Sequence, residues 1–196
     1  MADESITTVV LRLIDALEAS GETYAFGGAI ALAAWSEPRA TADVDIVLWI
    51  DIARADRTID VIRAAGVRVD ADIARAQLAE RGMFVGMLGP IRVDVFVPSI
   101  PFYAEAEKRR VATRIAGRST WVHSAEVLAV FKLLFFRPKD LLDIERMLRI
   151  QGAAFDRTFV TQALVDMLED DPRITKWDEI CRRVPPSGPE DGTPPI

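Results

Sequence analysis

The sequence predicts an α/β (α+β) fold, in which a mixed β-sheet is flanked by helices and the C-terminal half is helical. Short β-branched segments alternate with helical segments up to residue 123, whereas the later segments all have helical spacing. At 196 residues the chain is long enough for one domain with a helical appendage. We therefore predict an α/β core at 1–123, a helical region packed on it at 124–184, and a disordered proline-rich tail at 185–196.

The order of the elements follows from the hydrophobic pattern. An amphipathic helix at 4–19 ends at Gly21, and the β-branched run at 44–50 is typical of a central strand buried on both faces. The other elements predicted in the first half are strands at 23–26, 83–88 and 91–97, helices at 29–35, 52–65, 72–81 and 102–108, and a strand pair around Gly117. The second half contributes helices at 125–136, 139–150, 156–169 and 173–184.

Composition limits the possible functions. The formal net charge is −6 and the sequence pI is about 4.9, which argues against non-specific binding to a polyanion, because such binding is electrostatic. Cys181 is the only cysteine, so neither an internal disulfide nor a multi-cysteine metal site can form. The N-terminus lacks the pattern of a signal peptide, and the most apolar later run is broken by Lys132. We expect a cytoplasmic protein without a membrane-spanning segment.

Three aspartates are candidate metal ligands. Asp43 and Asp45 stand at positions i and i+2 of a strand, so they share a face with Cα atoms about 6.5–7 Å apart. Because the two carboxylates repel each other, a cation between them would stabilise the pair. Oxygen ligands prefer Mg²⁺ or Mn²⁺ over softer metal ions. Asp94, within IRVDVFVP, would add the third carboxylate of a two-metal site. The alternative for Asp43 and Asp45 is that they lie at the exposed entrance of the strand and cap a loop. The alternative for Asp94 is an edge strand on which Arg92 and Asp94 face solvent.

The glycine pair is a candidate phosphate cradle. Gly27 and Gly28 lie at a strand-to-helix junction, where backbone N–H groups and the helix dipole favour an anion that glycine allows to approach closely. The segment matches neither a Walker loop nor a dinucleotide G-x-G-x-x-G motif. The alternative is a tight turn without a ligand.

A lysine in the first helix of the second half is a further candidate. Lys132 interrupts an apolar helix, so its amine either reaches the surface or meets an anion such as a triphosphate. Arg137 and Lys139 bracket a proline and precede Asp140 and Asp143. These acids are also compatible with a plain helix N-terminus, which favours negative charge.

The remaining chemical groups carry weaker predictions. His123, the sole histidine, and Cys181 are interpreted as structural, because neither neighbourhood resembles a catalytic triad. A local basic region is predicted to be a solvated sheet face, or a guide for an RNA or nucleotide partner. Its members are Lys108, Arg109, Arg110, Arg114 and Arg118.

The succession of motifs identifies a family. GG is followed by PRATADVDIVL, then VDVFVP, then AEVLAVFKLLFFRPKDLLDI, over roughly residues 23–150. This order resembles the nucleotidyltransferase superfamily with the DNA-polymerase-β-like core, and within it the small bacterial proteins related to the AbiEii-type toxins. Two positions depart from the pattern: Ala29 stands where many active members have Ser or Thr, and Leu142 where related toxins often carry an aromatic residue.

The resemblance implies a nucleotidyltransferase-like fold and a set of site residues. The implied metal ligands, which are also the catalytic residues, are Asp43, Asp45 and Asp94. The implied nucleotide-binding residues are Gly27, Gly28, Arg39, Thr41, Lys132 and Asp140. Within these sets, Asp94 is the candidate for helping to deprotonate the acceptor, Lys132 would reach the triphosphate, and Asp140 would orient that region.

The implied activity is transfer of an NMP from an NTP to an acceptor hydroxyl, with Mg²⁺ or Mn²⁺ as cofactor. The acceptor would be an RNA or tRNA end, a protein or a small molecule. A toxin-like role would add an antitoxin partner, and no membrane is involved. One alternative is a catalytically inactive nucleotidyltransferase-fold module with a binding or regulatory role. The other is a structural α/β domain whose acids are surface groups.

Overall fold

The computed structural model describes residues 5–186. Within them the chain forms nine α-helices and one six-stranded mixed sheet, which confirms the predicted fold class. The predicted tail at 185–196 lies, apart from its first two residues, outside the described part of the chain. No helix among the described residues is long and apolar enough to cross a membrane.

The elements follow the predicted order. The strands are β1 (Tyr24–Phe26), β2 (Asp43–Leu48), β3 (Met83–Leu88), β4 (Ile91–Phe96), β5 (Arg110–Ile115) and β6 (Arg118–His123). The helices of the first half are α1 (Ile6–Ser20), α2 (Gly28–Trp35), α3 (Ala55–Ala64), α4 (Ala71–Arg81) and α5 (Phe102–Lys108). Those of the second half are α6 (Ala125–Phe135), α7 (Pro138–Gln151), α8 (Arg157–Met167) and α9 (Pro172–Arg183).

Local side chains explain where the helices begin and end. The Ser5 hydroxyl accepts a hydrogen bond from the Thr8 N–H at 3.2 Å and so caps α1, which ends at Gly21 in the left-handed conformation. The helix predicted at 52–65 is instead a 3-10 turn at Ile52–Arg54 followed by α3. The Asp51 carboxylate, which accepts from the Ala53 N–H at 2.8 Å, caps that turn.

The sheet has the strand order β3-β4-β2-β1-β6-β5. Strand β2 pairs in parallel with β4 and antiparallel with β1, and β1 pairs in parallel with β6. The predicted central position of β2 is therefore correct, and Val44, Ile46 and Leu48 on one of its faces are fully buried. Strand β4 lies between β3 and β2, so the edge-strand alternative for Asp94 is wrong.

The chain divides into two compact units. The first holds the described residues of Met1–Ala31 together with Arg39–His123, and the second holds Leu32–Pro38 with the described residues of Ser124–Ile196. The first unit contains the six-stranded sheet. In the second unit α6 packs against α7, α8 and α9, around the buried Trp177 and Leu133.

Candidate active site

Three carboxylates lie on one face of the sheet in the first unit. Asp45 of β2 is the register partner of Asp94 of β4, and Asp43 is the partner of Arg92. Register partners on adjacent strands project to the same face about 4.8 Å apart, and residues i and i+2 also share a face. We call Asp43, Asp45 and Asp94 the carboxylate cluster. Asp94 is only 9% exposed, so its charge is largely shielded from water.

The glycine pair packs directly against this cluster. The Gly27 N–H donates to the Asp45 carbonyl oxygen at 2.9 Å, and α2 begins at Gly28 with φ +50°. A Cβ atom on Gly28 would overlap with Asp45 Oδ2 and lie 2.7 Å from the Asp45 Cγ atom. Position 28 therefore requires glycine for two reasons: its left-handed backbone, and the space that the Asp45 carboxylate occupies.

The residues that precede β2 orient its first aspartate. The Thr41 hydroxyl donates to Asp43 Oδ1 and lies 3.1 Å from the Asp43 carbonyl oxygen. Arg39 Nη1 donates to the carbonyl of Ala40 at 3.4 Å. Thr41 thus fixes the Asp43 side chain. The contact of Arg39 and Thr41 with a nucleotide stays a prediction of the family resemblance.

Arg92 is a site residue that the sequence interpretation did not assign. Its Nε atom donates to Asp94 Oδ1 at 2.6 Å, and its side chain is 52% exposed. The hydrogen bond and charge of Asp94, and to a lesser extent the charges of Asp43 and Asp45, raise the pKa of Arg92. The R-x-D pattern of β4 was the available signal, because residues two apart on a strand share a face.

The donor set of the cluster fits a hard divalent cation. Three carboxylates provide the oxygen ligands that Mg²⁺ and Mn²⁺ prefer. In the part of the chain that the structure describes, however, no three Asp, Glu, His or Cys side chains form a group that could hold an ion. Thr41 donates a hydrogen bond to one oxygen of Asp43 and Arg92 to one oxygen of Asp94, so both carboxylates are already partly engaged by donors of the chain.

His123 borders the same glycine pair. Its Cδ2 atom lies 3.5 Å from the position of a Cβ on Gly27, and its ring packs edge-on against Trp49 with centroids 6.0 Å apart. The side chain is 1% exposed, and burial, with a smaller contribution from the Arg110 charge, lowers the pKa of His123 to about 3. The imidazole is therefore neutral at pH 7 and packs as an uncharged ring.

We expect His123 to make the protein sensitive to mild acid. The unfolded chain takes up a proton at the ordinary histidine pKa of about 6.5, whereas the folded protein does so only near 3, so stability falls as pH drops below 6.5. From pH 7 to pH 5 this loss is about 2 kcal/mol. Urea titrations at pH 7 and pH 5 measure the change in the free energy of unfolding. We expect the decrease for His123→Gln to be smaller than that for wild type by about 2 kcal/mol. Equal losses in the two proteins would contradict a buried neutral imidazole.

Lys132 and Asp140 lie in the second unit, inside an ion-pair cluster. Lys132 Nζ lies 2.7 Å from Asp143 Oδ2 and 3.5 Å from Asp140 Oδ1, and the three side chains are at most 4% exposed. Asp140 also accepts from Arg137 Nε at 2.6 Å and, at 3.3 Å, from the Arg137 backbone N–H, which caps α7. The lysine therefore does not extend to the surface. Its role toward a triphosphate stays a prediction of the family resemblance.

The predicted basic region is engaged in contacts within the first unit. Arg110 lies over the rings of Trp49 and Trp121, at 5.5 and 4.9 Å from their centroids. The other members are Lys108 and Arg109, which pair with Glu105, Arg114, which donates to the Gly117 carbonyl, and Arg118, which pairs with Asp15. The predicted single sheet face is wrong, because Lys108 ends α5 and Arg109 caps it, and Arg118, the register partner of Ile115, projects from the face opposite to Arg110 and Arg114. A guiding role for RNA or nucleotide stays a prediction.

A mixed sheet with carboxylates on adjacent central strands, beside a helix that starts at a glycine pair, is the arrangement expected of a nucleotidyltransferase. The sequence matches the family described as "Nucleotidyl transferase AbiEii toxin, Type IV TA system" over residues 12–193. The chain belongs to this family, and it is a nucleotidyltransferase. No curated protein sequence matches it.

Two solved structures support the assignment of the fold. The solution structure of the antibiotic-resistance factor ANT(2″)-Ia has a TM-score of 0.61 at 16% identity, and the match covers 82% of this chain and 92% of that chain. The crystal structure of ANT(2″)-Ia in complex with adenylyl-2″-tobramycin has a TM-score of 0.55 at 15% identity, with coverage of 90% and 97%. At these identities the similarity shows a shared fold.

Proposed function

We propose that this protein transfers an NMP from an NTP to an acceptor hydroxyl with release of pyrophosphate, in a reaction that depends on Mg²⁺ or Mn²⁺. The observation that carries the proposal is the register of Asp45 with Asp94 on adjacent parallel strands, with Asp43 two residues away on the same face. Family membership supports the class of reaction. The donor chemistry of three carboxylates supports the dependence on a hard cation.

In this proposal the carboxylate cluster binds the metal ions. Bound divalent ions lower the pKa of an acceptor hydroxyl and neutralise charge on the transferring phosphoryl group. Asp94 accepts the proton of the acceptor hydroxyl at a carboxylate oxygen, and Thr41 keeps Asp43 oriented. Gly28 begins α2 and lets the Asp45 carboxylate pack against the start of this helix, where backbone N–H groups favour a phosphate.

The family pattern adds roles for Lys132 and Asp140 toward the triphosphate, and for Arg39 beside the metal site. The first two roles are supported by the family pattern alone, because in this structure the Lys132 amine is paired with Asp140 and Asp143. We further propose a toxin-like role with an antitoxin partner, on the ground that the family is described as a type IV toxin–antitoxin system. The acceptor is an RNA or tRNA end, a protein or a small molecule.

The proposal is tested by label transfer. The protein is incubated with each α-labelled NTP, Mg²⁺, and total cellular RNA, protein or metabolite extract, and the labelled species is then identified. Asp45→Asn should reduce transfer by about 100-fold or more, because one metal ligand loses its charge. Asp60→Asn, which makes the same chemical change on the exposed side of α3, should leave transfer unchanged. Equal labelling by wild type and Asp45→Asn would overturn the assignment of the site.

The inactive binding module makes a different prediction. Such a protein would show an increase in melting temperature with NTP and Mg²⁺, since a ligand that binds only the folded state stabilises it, but no label would appear in any acceptor pool. A melting-temperature increase that Asp45→Asn abolishes, without transfer in any pool, would favour this alternative.

A further inference from the structure

Arg92 supplies positive charge to the carboxylate cluster from within the chain. It pairs in register with Asp43, and its Nε donates to Asp94 Oδ1 at 2.6 Å. The sheet thus places a guanidinium on the same face as three carboxylates that would otherwise repel one another. A divalent ion at this face would be attracted by the same negative charges.

The two side chains of this ion pair differ in their freedom to move. Asp94 is 12% exposed as a side chain and lies on an interior strand, whereas the Arg92 side chain is 52% exposed. A long, half-exposed arginine can swing into solvent without opening the core, but the short aspartate cannot leave its face of the sheet. Separation of the pair therefore moves the arginine and leaves the carboxylate in place.

We propose that Arg92 is a resident counter-cation that competes with the divalent ion for Asp94. It balances the carboxylate cluster in the metal-free protein, and it has to release Asp94 before that carboxylate becomes a full metal ligand. Even an ion bound through the other oxygen of Asp94 would be repelled by the guanidinium, so the competition does not depend on one particular oxygen. The inference rests on the proposed metal site and adds that Arg92 lowers the affinity of this site for a divalent ion.

The inference bears on how tightly the carboxylates hold a metal ion. They share a face because of the strand register. The hydrogen bond from Arg92 to Asp94 commits one oxygen of the least exposed ligand to an internal cation. The affinity for metal should therefore be lower than three carboxylates alone would give.

The test measures binding of Mn²⁺ alone, without nucleotide, by calorimetry or by loss of the free-Mn²⁺ EPR signal. Arg92→Gln should bind Mn²⁺ about tenfold more tightly than wild type, since a cation beside the ligands has been removed. Arg118→Gln is the matched control, because it removes one positive charge from the same unit. The Arg118 side chain is 60% exposed and pairs with Asp15 at 3.4 Å. Its affinity should stay within about twofold of wild type, because exposed charges at a distance are screened.

A thermal measurement provides a second readout. In EDTA, Arg92→Gln should have a lower melting temperature than wild type, because the carboxylates have lost their counter-cation. Saturating Mn²⁺ should then raise the melting temperature of Arg92→Gln by more than it raises that of wild type. Arg92→Lys keeps the charge without the guanidinium geometry, so its Mn²⁺ affinity should fall between those of wild type and Arg92→Gln.

The possible failures separate this inference from the proposed function. Equal or weaker Mn²⁺ binding by Arg92→Gln, when wild type binds the ion, would overturn the competition and leave the metal site standing. Absence of Mn²⁺ binding in both proteins would overturn the competition and the proposed metal dependence together.

Discussion

Replacement of Gly28 by alanine is expected to abolish nucleotidyl transfer. A left-handed backbone costs alanine about 1–2 kcal/mol, and here φ is +50°. The new methyl group would also clash with Asp45 Oδ2, so the carboxylate would have to move. We expect transfer to fall by about 100-fold or more, because a displaced metal ligand cannot be replaced from elsewhere on the sheet. The label-transfer assay, together with urea unfolding, measures both effects.

Two other glycines separate the causes of this loss. Gly21 has φ +67° but open space around its Cβ position, so Gly21→Ala reports backbone strain alone and should keep transfer. A Cβ atom added to Gly27 would lie 3.5 Å from both Asp45 Cβ and His123 Cδ2, which is ordinary van der Waals contact. Gly27→Ala should therefore be less destabilising than Gly28→Ala. If Gly28→Ala transferred label as well as Gly21→Ala does, the packing of Asp45 against the glycine pair would not matter for the reaction.

Replacement of Asp143 by alanine is expected to cause the largest loss of stability. Asp143 Oδ2 lies 2.7 Å from Lys132 Nζ, in a pair whose side chains are 2% and 4% exposed. Removing one partner of a buried ion pair costs about 3–5 kcal/mol. Lys132 would keep only the longer contact with Asp140, at 3.5 Å, so we expect the lower end of this range. Urea unfolding followed by far-UV circular dichroism should show this loss, since the pair joins α6 to α7.

A double replacement tests whether the loss comes from the buried charge. Lys132→Met combined with Asp143→Ala removes both charges, so it should be less destabilising than Asp143→Ala alone. Glu179→Ala, which removes the carboxylate partner of the more exposed Lys176, should change the unfolding free energy little. A double variant as unstable as the sum of its single variants would indicate that Lys132 and Asp143 act independently.

Local pattern was sufficient for most elements of the fold. The boundaries predicted for the helices near residues 4–19 and 72–81 agree with α1 and α4 to within two residues at each end, because an N-cap and a left-handed glycine mark both ends of each helix. The helix predicted at 52–65 was the exception. Its first turn is a separate 3-10 turn that Asp51 caps, and the non-helical backbone of Arg54, with φ −103° and ψ 36°, divides this turn from α3.

The candidate site was predictable only in its composition. The residue types Asp43, Asp45 and Asp94 indicated oxygen ligands, and the order of motifs identified the family. The sequence left two alternatives for Lys132, an amine that reaches the surface or one that meets an anion such as a triphosphate. In the structure the amine meets an anion from the chain itself, the carboxylate of Asp143, a residue 11 positions later, because the packing of α6 on α7 brings the two side chains together.

By itself, the sequence determined the helices and strands, their order, and the chemistry available at the strand that starts with Asp43. These depend on periodicity, capping and residue type, which act over a few neighbouring residues. Only the tertiary structure decided that β4 pairs in parallel beside β2, which sets Asp94 next to Asp45 and Arg92 next to Asp43. Strand pairing joins residues about fifty positions apart, and a shift of one residue would turn Asp94 to the opposite face.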